Sequence, residues 1–433
     1  MSTCTTATAA ASAAEVSAAS ADGPPRTTVL SAGAGRAQIA IPAEALPFEG
    51  FHTVHDPLSA RVLVLDDGTT RVALAVVDQT SIFEDQLARL LGLLHESTGA
   101  AFEHCLAVAS HTFSAPHIFP PGRLTGVDAA RNELISQAVD DAVLHAAGDA
   151  VAGLRPARLG VGEGVCRVNV NRDVPTAHGW WLGSDDGGPS DHAVSVLRVD
   201  DERGHPLALV LNYAVQSSVM QSPAAHTAQR EISADLAGAA CREIEARYGD
   251  DGVVALFLPG AAGDQAPYLT TSDPAGARVL LAALGSRLAQ EAHRTAESIA
   301  TADLTSPLSV VSEHIEVDAQ TPPPGLAALR PTRAYPYRAD GRTHAAVTLL
   351  RIGDLAIAGL QAELGVRTGL ALKAASTAPV TWVATMVNGG AKYMADQDSY
   401  DRCTYEAMNS RYARGTAEIV AARLGDLLSD AES

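Results

Sequence analysis

A chain of 433 residues that is 47% hydrophobic has ample material for a packed core, which excludes a wholly disordered protein. Acidic residues outnumber basic ones by 50 to 31, a formal charge of −19, and a surface this negative repels nucleic-acid phosphates and anionic lipid head groups. No apolar run approaches the roughly 18 residues that span a bilayer, so no integral membrane segment is expected.

Residues 1–27 are mostly Ser, Thr and Ala, with no Lys or Arg before Arg26 and no apolar stretch of the kind a secretory signal needs. They are expected to form a disordered tail, and the protein to reside in the cytoplasm. The cysteines Cys4, Cys105, Cys166, Cys241 and Cys403 are scattered and form no Cys-x-x-Cys pair. That pattern fits a reducing compartment rather than a disulfide framework or a Cys-based zinc site.

From residue 28 onward, strand and helix patterns alternate. Arg61 to Asp66 and Thr70 to Val77 read as a hairpin turning at Asp67-Gly68. Ile82 to His95 has helical spacing, and Leu106 to Ala109 reads as a buried strand entering a His/Pro-rich loop, Ser110 to Pro121. A helix is expected over Ala129 to Ala147 and a strand over Arg158 to Asn171. Ala193 to Asp200 and Leu207 to Val215 pair around Asp201 to Gly204, and Ser233 caps a helix running to Arg247. The apolar run Val253 to Leu258 ends in a Gly-rich turn reaching Asp264, and a helix covers Ala277 to Ala296. Residues 302–343 are loop-rich around Pro322-Pro323-Pro324, with one strand from Leu308 to Val317. Val347 to Ile352 and Leu355 to Leu360 form a hairpin, and helix 366–375, strand 379–386 and helix 404–429 close the chain. The expectation is an α/β fold: one large domain, 28–433, of mixed β-sheets flanked by helices.

The common catalytic motifs are absent. Gly33-Ala-Gly35 lacks the third Gly of a dinucleotide loop, and Gly160-Val-Gly162-Glu-Gly164 leads into a strand rather than a helix. There is no Gly-x-Ser-x-Gly elbow, no His-Glu-x-x-His and no P-loop lysine. No nucleotide or flavin cofactor is therefore expected. What the pattern does deliver is a polar residue after each of six strands: His111, Arg172, Gln216, Asp264, Glu363 and Tyr393. Strand ends are where α/β proteins present chemistry, so the six are expected to share a pocket.

At these places the sequence resembles the neutral/alkaline non-lysosomal ceramidase family. The likeness is carried by His55 to Leu58 with Ala60-Arg61, Ser110 to Pro116, Asn169 to Arg172, Asn212 to Gln216 and Ser233 to Asp235 with Gly238. It continues through Gly263 to Pro267, Gly359 to Glu363, Asn388 to Tyr393 and Tyr400 to Glu406. The resemblance implies a zinc-dependent amidase that cleaves an N-acyl amino alcohol. It implies zinc ligands at His111, Glu363 and Tyr393, a substrate-orienting Arg172, and a second active-site tyrosine, Tyr405. Three positions depart from the family pattern: Gln216 stands where it has its second ligand histidine, Phe113 where it has a polar histidine, and Ala266 where it has a serine. Gln216 would then be a weak oxygen ligand or a hydrogen-bonding neighbour, with His117 or His226 as possible replacements.

Taken singly, these residues have plainer readings. Arg172 would pair with Asp173 or Asp191, Asp264 would clamp its own turn, and Trp180-Trp181 would be a lid over an apolar ligand or simple packing. Lys392 would be a solvated charge or a cation for an oxyanion. The functional expectation is a C–N hydrolase acting on a soluble N-acyl compound at a degenerate zinc site, with Phe113, Gln216, Asp264 and Trp181 lining the substrate. A metal-free enzyme performing acyl transfer, cyclisation or elimination by general acid–base chemistry is the alternative. A binding protein on the same scaffold is the third. In each, the partner is a small molecule with an acyl or apolar part.

Overall fold

The computed structural model describes Met1 and residues 29–221 and 230–430. The expected tail, beyond Met1, and His226 lie outside the described residues. The largest sheet has eight strands. In spatial order they are Val254–Pro259, Pro206–Tyr213, Ala193–Asp201, Arg155–Val165, Ser31–Ile39, Leu58–Asp66, Arg71–Val77 and Cys105–Ala109. Both edges are parallel pairs, and the centre is antiparallel. A four-stranded sheet, Ser309–Gln320, Ala339–Ile352, Leu355–Leu360 and Val380–Ala384, packs against it, and Trp382 and Leu256 belong to the apolar core they share. On the opposite face of the large sheet, helices Glu84–Thr98 and Gly126–Ala152 cover one half, and Asp235–Arg247 and Pro274–Glu297 the other. Helix Thr416–Asp430 packs on the smaller sheet. This is the α/β class that the alternation predicts, with mixed sheets and flanking helices.

The glycines excluded as a dinucleotide loop have a packing role. Helix Gly126–Ala152 lies on strand Ser31–Ile39, and a Cβ at Gly35 would sit 2.1 Å from the Ala146 carbonyl oxygen. That strand escapes a propensity reading because small residues, chosen for helix approach, dilute its β signal.

Other boundaries move for identifiable reasons. The expected strand Arg158 to Asn171 is two strands in different sheets, Arg155–Val165 and Asn169–Thr176, so Arg172 lies within a strand rather than after one. Trp180-Trp181 sits on a strand, Gly179–Asp185, paired with Asn169–Thr176. Much of the loop-rich stretch 302–343 belongs to two long strands joined across an extended antiparallel register. Helix 404–429 is broken into Tyr405–Met408 and Thr416–Asp430. In the break, Ser410 Oγ donates to the Tyr393 carbonyl at 2.8 Å and Gly415 takes a left-handed φ of 94°. The helix expected to start at Ser233 is Asp235–Arg247, although Ser233 Oγ still accepts from the Asp235 N–H at 2.9 Å.

Candidate active site

His111 leaves strand Cys105–Ala109 two residues after its end, in the left-handed region at φ 62°, and is buried. Its Nδ1 lies 2.6 Å from the Thr80 carbonyl, so Nδ1 carries a hydrogen and the ring orientation is fixed. Its Nε2 lies 3.0 Å from Glu363 Oε2, an ion-pair distance, but without an acceptor in hydrogen-bond line. Phe113 stands edge-on to the imidazole, ring centroids 4.7 Å apart.

Glu363 is placed by a two-residue parallel pairing, Glu363–Leu364 with Tyr393–Met394, which sets Glu363 directly beside Tyr393. The Glu363 N–H donates to the Lys392 carbonyl at 2.9 Å, and the Lys392 side chain is exposed. Lys392 therefore serves this site through its backbone. Gln216 follows strand Pro206–Tyr213, and its loop is tied to that of His111 by the Phe113 N–H donating to the Ser217 carbonyl at 3.0 Å. Gln216 Nε2 donates to Glu363 Oε2 at 2.6 Å, and its Oε1 accepts from Arg172 Nη1.

Arg172 occupies an irregularity where the register with strand Gly179–Asp185 shifts between Asn171 and Asp173. Such a bulge re-aims one side chain. Here it sends a guanidinium into the interior, where Nε and Nη2 meet Glu406 Oε1 at 2.7 and 2.6 Å. Arg172 Cζ stands 5.3 Å from the Tyr393 ring centroid and 5.8 Å from that of Tyr405, and Trp181 stands edge-on to Tyr405 at 5.8 Å. Trp180 points the other way, under Arg402 at 4.5 Å, in a groove of about 280 Å³.

The electrostatics separate acid from base. Burial opposes charge on His111, yet the Glu363 carboxylate and the Thr80 carbonyl outweigh it and raise the imidazole above its ordinary value. Burial pushes Glu363 up, but His111 and then Arg172 pull it below the usual carboxylate range. Burial first, then Glu363, raises the Tyr393 phenol, and burial likewise raises Tyr405. Both remain neutral hydroxyls at ordinary pH.

His111, Gln216, Glu363, Arg172, Tyr393 and Tyr405 thus form one contiguous cluster, edged by Phe113 and Trp181. Asp264 is turned toward the scaffold: its carboxylate accepts from the Val366 N–H at 2.9 Å and from Asn171 Nδ2 at 3.0 Å, and burial raises it to about 6. Neither expected partner takes Arg172. Asp191 pairs with Lys373 at 2.7 Å, and Asp173 lies 3.9 Å from Arg402. The actual partner, Glu406, lies 234 positions away along the chain. Its sequence signals are its place beside Tyr405, just past the N-cap Thr404, and its position closing the stretch Tyr400 to Glu406. His117 is engaged with Glu49 at 3.2 Å and packs beside Phe83 and Phe119. Among the described residues, no group of three or more His, Cys, Asp and Glu side chains is gathered to hold a metal. Nor is any helix there long and apolar enough to cross a membrane.

No family model matches the chain, and no curated protein matches it by sequence. Solved structures do. Neutral ceramidase from Pseudomonas aeruginosa superposes with a TM-score of 0.75 at 20% identity, over 93% of this chain and 74% of that one. A ceramidase complexed with C2 superposes with a TM-score of 0.71 at 21% identity, over 91% and 73%. The chain has a neutral-ceramidase-like fold.

Proposed function

We propose that the chain is a metal-independent enzyme that hydrolyses the acyl–nitrogen bond of a small molecule with an acyl or apolar part. The observation that carries this reading is the Gln216 amide, which joins the His111–Glu363 pair to the Arg172 guanidinium. Catalytic zinc takes three strong protein ligands and keeps one open position. The residues here do not fit that need. The Gln216 oxygen is committed to Arg172 and its nitrogen faces Glu363, leaving one imidazole and one carboxylate as strong donors beside the Tyr393 phenol.

The same groups are suited to acid–base catalysis, because their surroundings drive the two members of the pair apart. Glu363, held ionised, accepts a proton from the attacking water as its oxygen bonds to the carbonyl carbon. Arg172 and the Tyr405 hydroxyl receive the developing negative charge on the carbonyl oxygen. His111, whose imidazole the Glu363 carboxylate and the Thr80 carbonyl raise above its ordinary value against burial, gives its Nε2 hydrogen to the departing nitrogen as the C–N bond breaks. Proton exchange with solvent, taking one proton from Glu363 and returning one to His111, restores the starting state. An amine or alcohol in place of water would make the same sequence an acyl transfer. Four free buried cysteines among the described residues support a reducing compartment, the cytoplasm.

The test is a panel of N-acyl p-nitroanilides of increasing chain length, assayed with and without a strong chelator, alongside zinc content per chain after dialysis. Turnover that survives the chelator and is lost in Glu363→Gln supports the proposal. Turnover that zinc restores after chelation, or ligand binding with no turnover of any member, overturns it.

A further inference from the structure

Behind Arg172 lie two more buried carboxyl groups. Glu406 and Asp173 are each 3% exposed, and their side chains are in hydrogen-bond contact. Glu406 Oε1 is used by Arg172, but Glu406 Oε2 has no partner, and Asp173 Oδ1 has none either. Two bare acceptors on neighbouring buried carboxyls would each bear the full cost of desolvation, and two ionised carboxylates there would repel as well. One proton placed between them satisfies both atoms and removes one charge.

We propose that Asp173 and Glu406 share a single proton, with Asp173 a neutral acid donating to Glu406 Oε2 and thereby holding Glu406 Oε1 on Arg172. Asp173 is then a positioning residue, acting on the guanidinium through Glu406. The charged surroundings agree. Asp173 faces Glu406 on helix Tyr405–Met408, Asp264 before strand Gln265–Pro267, Arg172 on its own strand and Arg402 on helix Gln397–Arg402. Arg402 is too distant, at 3.9 Å, for a close pair. Burial first, then Glu406 and Asp264, raises Asp173 to about 9. The arrangement does not depend on which reaction Arg172 serves, and its test needs no substrate, so its failure and that of the proposed hydrolysis are distinguishable.

Infrared spectroscopy of the full-length protein at pH 7 should show a protonated carboxyl C=O band that fades as the pH passes about 9. The band should be missing in Asp173→Asn. A group raised from the ordinary value to about 9 stabilises the fold fully below about pH 4 and loses that contribution as pH rises to 9. Asparagine does not titrate and still donates to Glu406. The unfolding midpoint of Asp173→Asn minus that of the wild type should therefore climb by several degrees from pH 5 to 9 and then level off. Asp173→Leu, which cannot donate, should unfold earlier than Asp173→Asn throughout. A wild-type spectrum without the band, a flat midpoint difference, or equal behaviour of the Asn and Leu variants would overturn the proposal. If Asp173→Asn does not fold, the wild-type band and its fading near pH 9 decide alone.

Discussion

Gln216 spans the gap between Glu363 and Arg172, giving its amide hydrogens to one and its amide oxygen to the other. Neither end can be exchanged for the other, because a flipped amide would set its NH₂ against the guanidinium and its oxygen against the carboxylate. The side chain is locked by charge on both sides. That lock withdraws the oxygen from metal binding, and it links the acid–base pair to the group that receives the carbonyl.

Gln216→His tests this lock directly. An imidazole there adds a third strong donor beside His111 and Glu363 and takes the amide acceptor from Arg172 Nη1. The variant should hold close to one zinc per chain after dialysis, where the wild type holds a small fraction, with affinity at least about 10–100-fold higher. Turnover of the wild-type substrate should fall in the same variant. Equal zinc content in the two proteins would refute the account of the amide.

Arg172 and Glu406 are both buried, so each should be costly to lose alone. Arg172→Met leaves an uncompensated carboxylate, and Glu406→Leu an uncompensated guanidinium; either should destabilise by about 3–5 kcal/mol. The double variant should recover much of that, with a coupling of about 2 kcal/mol or more by urea denaturation. Additive losses would mean that the two side chains do not support each other.

How much of this was legible beforehand follows from what each feature rests on. The buried strands ending at Ala109 and Pro259 announce themselves as unbroken apolar runs. Strand Gly179–Asp185 does not, because Gly179 and Gly183 flank its tryptophans and only one of them faces the cluster. His111, Gln216, Glu363 and Tyr393 could be found from their places after strands. Arg172 could be found too, though it sits on a bulge that no sequence pattern marks. Its ion pair with Glu406 joins distant segments, and nothing local to either residue encodes that contact. Asp173 beside Arg172 and Glu406 at the end of the stretch Tyr400 to Glu406 are visible in the sequence, but not that Glu406, rather than Asp173, takes the guanidinium.

Tyr405 offers a phenol that burial keeps neutral and therefore able to donate. Among the described residues its hydroxyl accepts from Asn409 Nδ2 at 3.4 Å, a weak contact. Tyr405→Phe keeps the edge-on packing with Trp181, so stability should change by less than about 1 kcal/mol. If the hydroxyl meets the carbonyl oxygen as charge develops, kcat should fall by about 10²–10³-fold with KM nearly unchanged. A raised KM at constant kcat would place the hydroxyl in substrate binding instead.

Asp67 ties the two main sheets together, and its removal should be felt in stability alone. Its Oδ1 accepts from the Thr69 and Thr70 N–H groups at 2.9 and 2.7 Å, closing the turn before strand Arg71–Val77. Its Oδ2 accepts from the Leu308 N–H at 2.8 Å, at the entrance to strand Ser309–Gln320. Burial pushes the carboxyl up, but these three donors outweigh it and hold it below its ordinary value. A depressed carboxyl stabilises the fold fully above its unfolded value of about 4, and the contribution is lost as pH falls through the folded value. Asp67→Asn turns an NH₂ toward a backbone N–H and leaves that donor unsatisfied, a loss of about 1–3 kcal/mol. Urea denaturation should show the full difference between wild type and Asp67→Asn at pH 7 and a smaller one at pH 3. A difference that stays constant between those two pH values would show that the carboxylate charge contributes nothing and that only the lost acceptor matters.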